Sequence, residues 1–163
     1  MARKVFFSFN YKPDSWRAAQ VRNAGVVEGN RPCSDNDWES ITRGGDAAIQ
    51  RWVKDQLIGK SCTVVLIGSA TAGRKWIKYE IERAWAERKG VVGIYIHGLK
   101  DASGNPSTKG RNPFEDIMLD GQNFSRIAKS YDTPYLTSTF VYDYIKENIE
   151  GWVEEAISIR NSY

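Results

Sequence analysis

Apolar residues along this chain fall into short continuous runs separated by stripes of helical spacing. Val5-Phe6-Phe7-Ser8-Phe9 is a nearly continuous apolar run, the pattern of a strand covered on both faces. Cys62-Thr63-Val64-Val65-Leu66-Ile67-Gly68 is the strongest such run and reads as the central strand, and Val91 to Ile96 is another. Between them, Ile49, Trp52, Val53 and Leu57 recur at i, i+3, i+4 and i+8, with Gly59 as a stop. Ile77, Ile81 and Ala84, extended by the stem of Arg88, form the stripe of a helix over about 74–89 that Gly90 ends. Asp14, after Pro13, caps an earlier helix through Trp16, Ala19 and Asn23. Val141, Ile145, Ile149, Trp152 and Ala156 mark a final one, weakened at Gly151. Residues 24–38 read as a loop hiding a short strand at Val26-Val27, and residues 97–130 as a long irregular segment with a short helix near 114–119. A last strand is expected at 134–137, followed by the final helix to about 160.

Strands that alternate with helices imply a parallel sheet with helices on both faces. The expected class is α/β, a doubly wound, flavodoxin-like sheet in a single domain over residues 1–163, since neither a repeat nor a linker divides the chain. Such sheets bind ligands beyond the carboxyl ends of their strands, where the strand order reverses. The segments that matter are therefore Ser8 to Tyr11, Gly68 to Gly73, His97 onward, and the loop before Trp38.

Composition narrows the chemistry. The formal charge is +3, but basic residues are interspersed with acidic ones, as in Arg83, Glu87, Arg88 and Lys89. No basic stripe or nucleic-acid module is present, so a nucleic-acid partner is not expected. No apolar stretch approaches the ~20 residues of a membrane span, and the first residues hold no apolar signal segment, so a cytoplasmic protein without a membrane partner is expected. Cys33 and Cys62 lie far apart and the chain has one histidine, an inventory from which no zinc site assembles. Six Trp, eight Tyr and six Phe are a heavy aromatic load for 163 residues and suit a pocket that stacks planar ligands.

The strand ends exclude several functions. The first turn, Ser8-Phe9-Asn10-Tyr11-Lys12-Pro13, lacks the glycines that let a backbone approach a pyrophosphate in a dinucleotide-binding Rossmann unit. No P-loop and no Gly-x-Ser-x-Gly elbow occurs. A magnesium-dependent receiver domain needs carboxylates where this chain offers Asn10 and Ser69.

The positive signal centres on Glu80. Trp76 and Glu80 are four apart and share a helix face, on a helix that starts at the carboxyl edge of the best strand. A carboxylate beside Trp76 and Tyr79 is partly desolvated, which marks a functional candidate; the plainer alternative is a surface glutamate paired with Arg83 or Arg74.

With these residues in view, the chain resembles TIR-like domains, specifically the bacterial branch found in Thoeris anti-phage defence. The likeness is carried by Lys4-Val5-Phe6-Phe7-Ser8-Phe9-Asn10-Tyr11, Val21-Arg22-Asn23 and Val65-Leu66-Ile67-Gly68-Ser69. It continues through Trp76-Ile77-Lys78-Tyr79-Glu80-Ile81 and Lys109-Gly110-Arg111-Asn112-Pro113-Phe114, over roughly residues 3–115. Relatives in that branch often carry His where this chain has Asn10. The resemblance implies NAD-consuming chemistry with one catalytic glutamate, which maps onto Glu80. NAD is then a substrate, and no cofactor is expected.

One carboxylate suits that reaction. Nicotinamide leaves as a neutral molecule from a pyridinium, so no general acid is needed, unlike ordinary glycoside cleavage. The carboxylate stabilises or briefly bonds the oxocarbenium-like ribose. Phe6, Phe7, Trp38, Trp76 and Tyr79 are candidate faces for the cation, although strand Phe residues are commonly core. Ser8, Asn10 and Ser69 are candidate hydrogen-bonding groups for ribose or phosphate. Asp35 and Asp37 are candidates for ribose hydroxyls, with turn chemistry an equal alternative. His97 ends a strand on the correct edge, but a lone histidine is more often structural. Capture by water would yield ADP-ribose, and capture by a hydroxyl of the same molecule a cyclic isomer; the Thoeris resemblance favours a cyclic signal acting on a separate effector. Self-association is expected too, through the loop before Trp38. Two other readings stay open: a TIR-like interaction module in which Glu80 is inert, and a nucleoside deoxyribosyltransferase-like enzyme indifferent to NAD.

Overall fold

The computed structural model describes residues 2–30 and 35–163, and for residues 35–37 the backbone alone. Strand β1 (Val5–Ser8) leads into α1 (Tyr11–Asn23), then α2 (Asp35–Arg43), α3 (Gly45–Leu57) and β2 (Cys62–Ile67). There follow α4 (Lys75–Ala86), β3 (Gly90–Tyr95), a small hairpin of β4 (Met118–Leu119) and β5 (Gln122–Asn123), β6 (Ser130–Tyr131) and α5 (Ser138–Asn161). The main sheet has the order β1-β2-β3-β6 with every pair parallel, Val5 opposite Cys62 and Cys62 opposite Gly90. Among the described residues, the sheet continues beyond β1 as a single parallel bridge between Lys4 and Glu28. Counting that bridge as a vestigial second strand recovers the flavodoxin-like order 2-1-3-4-5. The strand expected at Val26-Val27 is reduced to this one bridge, and beyond Val5 no other described residue pairs with that edge of β1.

Alternation along β1 sets up the two layers. Val5 and Phe7 face α1 and α5, packing with Ala18, Val21, Ile145, Ile149 and Val153. Phe6 faces α3 and α4, packing with Ile49, Val53, Leu57, Ile77 and Ile81. Ser8, two residues on, points to the same layer as Phe6. Both strands after β1 are buried throughout, which explains their unbroken apolar runs.

Several boundaries differ from expectation. Helix α1 begins at Tyr11, with Asn10 at the capping position, and Asp14 lies inside the first turn, where its carboxylate pairs with Arg17 at 3.1 Å. That buried pair occupies positions that hydrophobic residues usually fill, which is why the apolar stripe of α1 looks weak. Helix α2 falls partly within the segment read as loop; Trp38 and Ile41 give it enough apolar surface to pack on the α3 face.

The stop of α4 is Arg88, in the left-handed region at φ 63, and its exposed side chain takes no part in the buried stripe, which Trp85 completes instead. Gly90 opens β3, where a Cβ would stand 2.8 Å from the Ala156 carbonyl carbon and the Ile157 nitrogen, so α5 crosses directly over it. The short helix near 114–119 is a 3-10 turn at Pro113–Asp116. The last strand is β6 at Ser130–Tyr131 rather than at 134–137. Asp132 and Thr133 side chains accept from the backbone N–H groups of Thr133 and Tyr135, turning the chain there, and Pro134 has no N–H to donate. Helix α5 runs through Gly151 without interruption, because its buried face from Val141 to Ala156 outweighs one glycine.

The loop after β3 closes the other strand ends. Gly110 packs so tightly there that a Cβ would lie 2.3 Å from the Gly68 carbonyl oxygen. The open space at the carboxyl edge is thereby displaced toward β1. No helix among the described residues is long and apolar enough to cross a membrane.

Candidate active site

A cavity of about 610 Å³ opens beside the carboxyl end of β1, within the ~300–1,000 Å³ typical of small-molecule sites. Its inner wall carries Phe7, Ile77 and Glu80. Phe9, Tyr11, Trp38, Trp52 and Trp76 supply an aromatic lining. Phe9 stacks on Tyr11 and Tyr11 on Trp38, with centroids 6.0 and 6.1 Å apart, while Trp38 meets Trp52 edge-on at 5.6 Å. Lys12, Arg22, Arg74 and Lys75 are its cationic side chains, and Glu80 is the carboxylate among the described lining residues. Among the described residues, no strand pairs with β1 on the cavity side beyond Val5. Where a neighbouring strand would take the Phe7 N–H, the side-chain carbonyl of Asn30 accepts it at 2.9 Å, and Asn30 itself lines the cavity.

Glu80 occupies a position in the buried stripe of α4, between Ile77 and Ala84, and is only 7% exposed. Helical spacing carries it against the sheet, and the pleat of β1 brings Ser8 to meet it: the Ser8 hydroxyl donates to Glu80 Oε1 at 2.9 Å. Burial pushes the Glu80 carboxyl up to about 8, partly opposed by the Ser8 hydrogen bond. At neutral pH burial thus favours the protonated acid, and a cation placed beside it favours the carboxylate. The Asn10 amide ties the β1 end to the turn after β2, donating to the Ala70 carbonyl at 3.3 Å. Within that turn the Gly68 N–H donates to the Thr71 hydroxyl at 2.8 Å.

Of the residues singled out from the sequence, Glu80, Phe7, Asn10, Trp38 and Trp76 converge on this cavity, and Ser8 sits behind Glu80. Phe6 lies in the core against Trp52, its ring pointing to the opposite layer from Phe7. Ser69 is exposed beyond β2, and Tyr79 packs edge-on against Trp76; neither is among the described lining residues. Asp35 and Asp37 open α2, and their side chains lie outside the described residues, as do Cys33 and the rest of residues 31–34. His97 stands near Tyr95, Lys109 and Asp132, away from the cavity lining, and burial lowers its pKa. Sequence reasoning passed over Phe9, Tyr11, Arg22, Asn30 and Trp52. Trp52 carries a helical signal that reads as core, and Asn30 becomes visible only through the missing strand pairing.

A parallel sheet of this order, flanked by helices on both faces, has the flavodoxin-like architecture of TIR-like domains. The sequence matches the family described as "Thoeris protein ThsB, TIR-like domain" over residues 6–101, a span that includes β1, β2 and all of α4. It is also 38% identical over 120 residues to the "Putative cyclic ADP-D-ribose synthase ThsB1" of Bacillus cereus (strain MSX-D12), covering 71% of this chain. The matched region spans 62% of that relative's length. The chain belongs to the Thoeris ThsB TIR-like domain family.

Proposed function

We propose that this protein cleaves the nicotinamide–ribose bond of NAD and transfers the ADP-ribosyl group to water or to a hydroxyl of the same molecule. The product is then ADP-ribose or a cyclic ADP-ribose isomer, serving as an anti-phage signal. The observation that carries this reading is Glu80, a buried carboxyl at the wall of an aromatic cavity, with no second carboxylate in the described lining. The family match and the name of the Bacillus cereus relative support the same chemistry.

In this reading the pyridinium of NAD enters the aromatic part of the cavity, where ring faces attract it with roughly 0.5–2 kcal/mol each. Its charge beside Glu80 favours the carboxylate and lowers the pKa from the value of about 8 that burial sets. The C–N bond then breaks, and its electron pair leaves with neutral nicotinamide. Glu80 stabilises the positive charge that grows on the ribose carbon, either through space or by a transient ester. An acceptor oxygen forms the new bond to the ribose carbon, and its proton passes to the Glu80 carboxylate. Ser8 holds the Glu80 rotamer through its hydrogen bond. NAD is consumed as a substrate, and the proposal calls for no cofactor. It extends to a separate effector that reads the product, to a cytoplasmic site of action, and to self-association through the segment before Trp38.

The test is nicotinamide release from NAD by the wild type and by Glu80→Gln, with products separated by chromatography. Release by the wild type alone supports the assignment, and the co-product separates hydrolysis from cyclisation. Equal release by both proteins, or none from the wild type in phage-challenged cells, would overturn it and leave an interaction module.

A further inference from the structure

A second, smaller recess of about 210 Å³ adjoins the main cavity, and the two share Arg74, Lys75 and Ile77. Its floor is the buried Ile77 and Pro113, and its walls carry Arg74, Lys75, Lys78 and Arg111, with Asp116 as the carboxylate among its described lining residues. Two of these cations are already engaged: Arg111 pairs with Asp116 at 3.0 Å, and Lys75 with Asp46 at 2.9 Å. Arg74 and Lys78 have no carboxylate within ion-pair distance among the described residues. Arg111 leans over the turn before α4, its Nη2 3.7 Å from where a Cβ on Gly73 would stand, and borders the recess while its side chain stays largely exposed.

The recess thus holds uncompensated positive charge over an apolar floor, and it is continuous with the Glu80 cavity across the Arg74–Lys75 ridge. The Arg74 guanidinium and the Lys78 ammonium, the two without a carboxylate partner among the described residues, match the oxygens of a phosphoryl group, which such groups hold by charge-assisted hydrogen bonds. We propose that this recess is the phosphate subsite of the dinucleotide, taking its diphosphate while the nicotinamide end lies against Glu80. The assignment rests on the NAD reading above. It adds that substrate is selected at two points, an aromatic and carboxylate end that takes the cation, and a cationic end that takes the diphosphate. The main cavity's other cations, Lys12 and Arg22, belong to α1, whereas Arg74 and Lys78 stand together at the start of α4.

The test uses inorganic pyrophosphate as the probe, measured by isothermal titration at low salt so that screening does not mask the charges. The proteins are the wild type, Glu80→Gln, Lys78→Gln, the double variant Lys78→Gln/Arg111→Gln, and Lys146→Gln as a control on exposed α5. Pyrophosphate is expected to bind the wild type, Glu80→Gln and Lys146→Gln alike. Loss of one cation should weaken it by roughly tenfold, the scale of one charge-assisted hydrogen bond. Pyrophosphate should also compete with NAD on Glu80→Gln, whereas nicotinamide riboside, which lacks phosphate, should bind Lys78→Gln as it binds the wild type. Unchanged pyrophosphate affinity in the double variant, no binding to the wild type, or simultaneous binding of pyrophosphate and NAD would each overturn the assignment. Turnover enters none of these readings, so an inactive wild type would count against the proposed function while pyrophosphate alone decides the subsite.

Discussion

Replacing Glu80 by Gln should raise stability relative to the wild type increasingly as pH rises from 5 to 8. The native carboxyl titrates near 8, against 4.5 for the ordinary group. Between those values the native state holds a proton that the unfolded chain has released, so stability falls as pH rises through the window and levels off above 8. Each unit of difference is worth about 1.4 kcal/mol, giving about 3 kcal/mol of destabilisation at pH 7 and under about 1 kcal/mol at pH 5. Gln is neutral throughout and can keep the hydrogen bond from Ser8. Its extra N–H carries a desolvation cost of about 1–3 kcal/mol if unpaired, but that cost is the same at every pH. The diagnostic is therefore the change in the difference between variant and wild type, about 4 kcal/mol from pH 5 to pH 8. For a chain of this size that is on the order of 10 °C in Tm. Differential scanning calorimetry of both proteins at pH 5, 6, 7 and 8 measures it directly. A difference in Tm that stays constant across the series would refute the claim that Glu80 is held in its neutral form by burial.

Other expectations follow from the same geometry. Because free Glu80 is mostly protonated below pH 8, kcat/KM for nicotinamide release should climb through pH 6–8 in the wild type, and a flat profile over that range contradicts a carboxylate role. Trp38→Ala removes the ring that joins Tyr11 to Trp52, and should raise KM for NAD by roughly 2–30-fold with little change in kcat, the span of one cation–π contact; steady-state kinetics would show an unchanged KM if the ring is only scaffolding. Gly90→Ala forces a Cβ into the backbone of α5 at 2.8 Å, and should cost about 1–3 kcal/mol of stability, read as a lower urea midpoint with unchanged m-value.

The elements with the clearest periodicity were legible without coordinates. The runs at Val5, Cys62 and Val91 are strands because β2 and β3 are buried on both faces and β1 lies between helix layers, and continuous burial writes itself as continuous hydrophobicity. Glu80 was legible as a candidate because it shares a helix face with Trp76 at the carboxyl edge of the best strand, and because the family resemblance maps the catalytic glutamate there. Less legible were features set by contacts distant in sequence. Helix α2 is short, and its few apolar residues matter only because α3 is there to receive them. The last strand was misplaced because pairing with Gly93 and Ile94, rather than local propensity, selects Ser130 and Tyr131.

The sequence by itself determined the α/β class, the strands that form the middle of the sheet, the helix that carries the glutamate, and the family. Tertiary structure decided which neighbours that glutamate has, and therefore its chemistry. Only the pleat of β1 puts Ser8 against Glu80, and only the reduction of the edge strand to one bridge at Glu28 leaves the cavity open beside Phe7. The reason is physical: periodicity records whether a side chain is buried, but a pKa near 8 and a cavity of a given shape depend on what it is buried against.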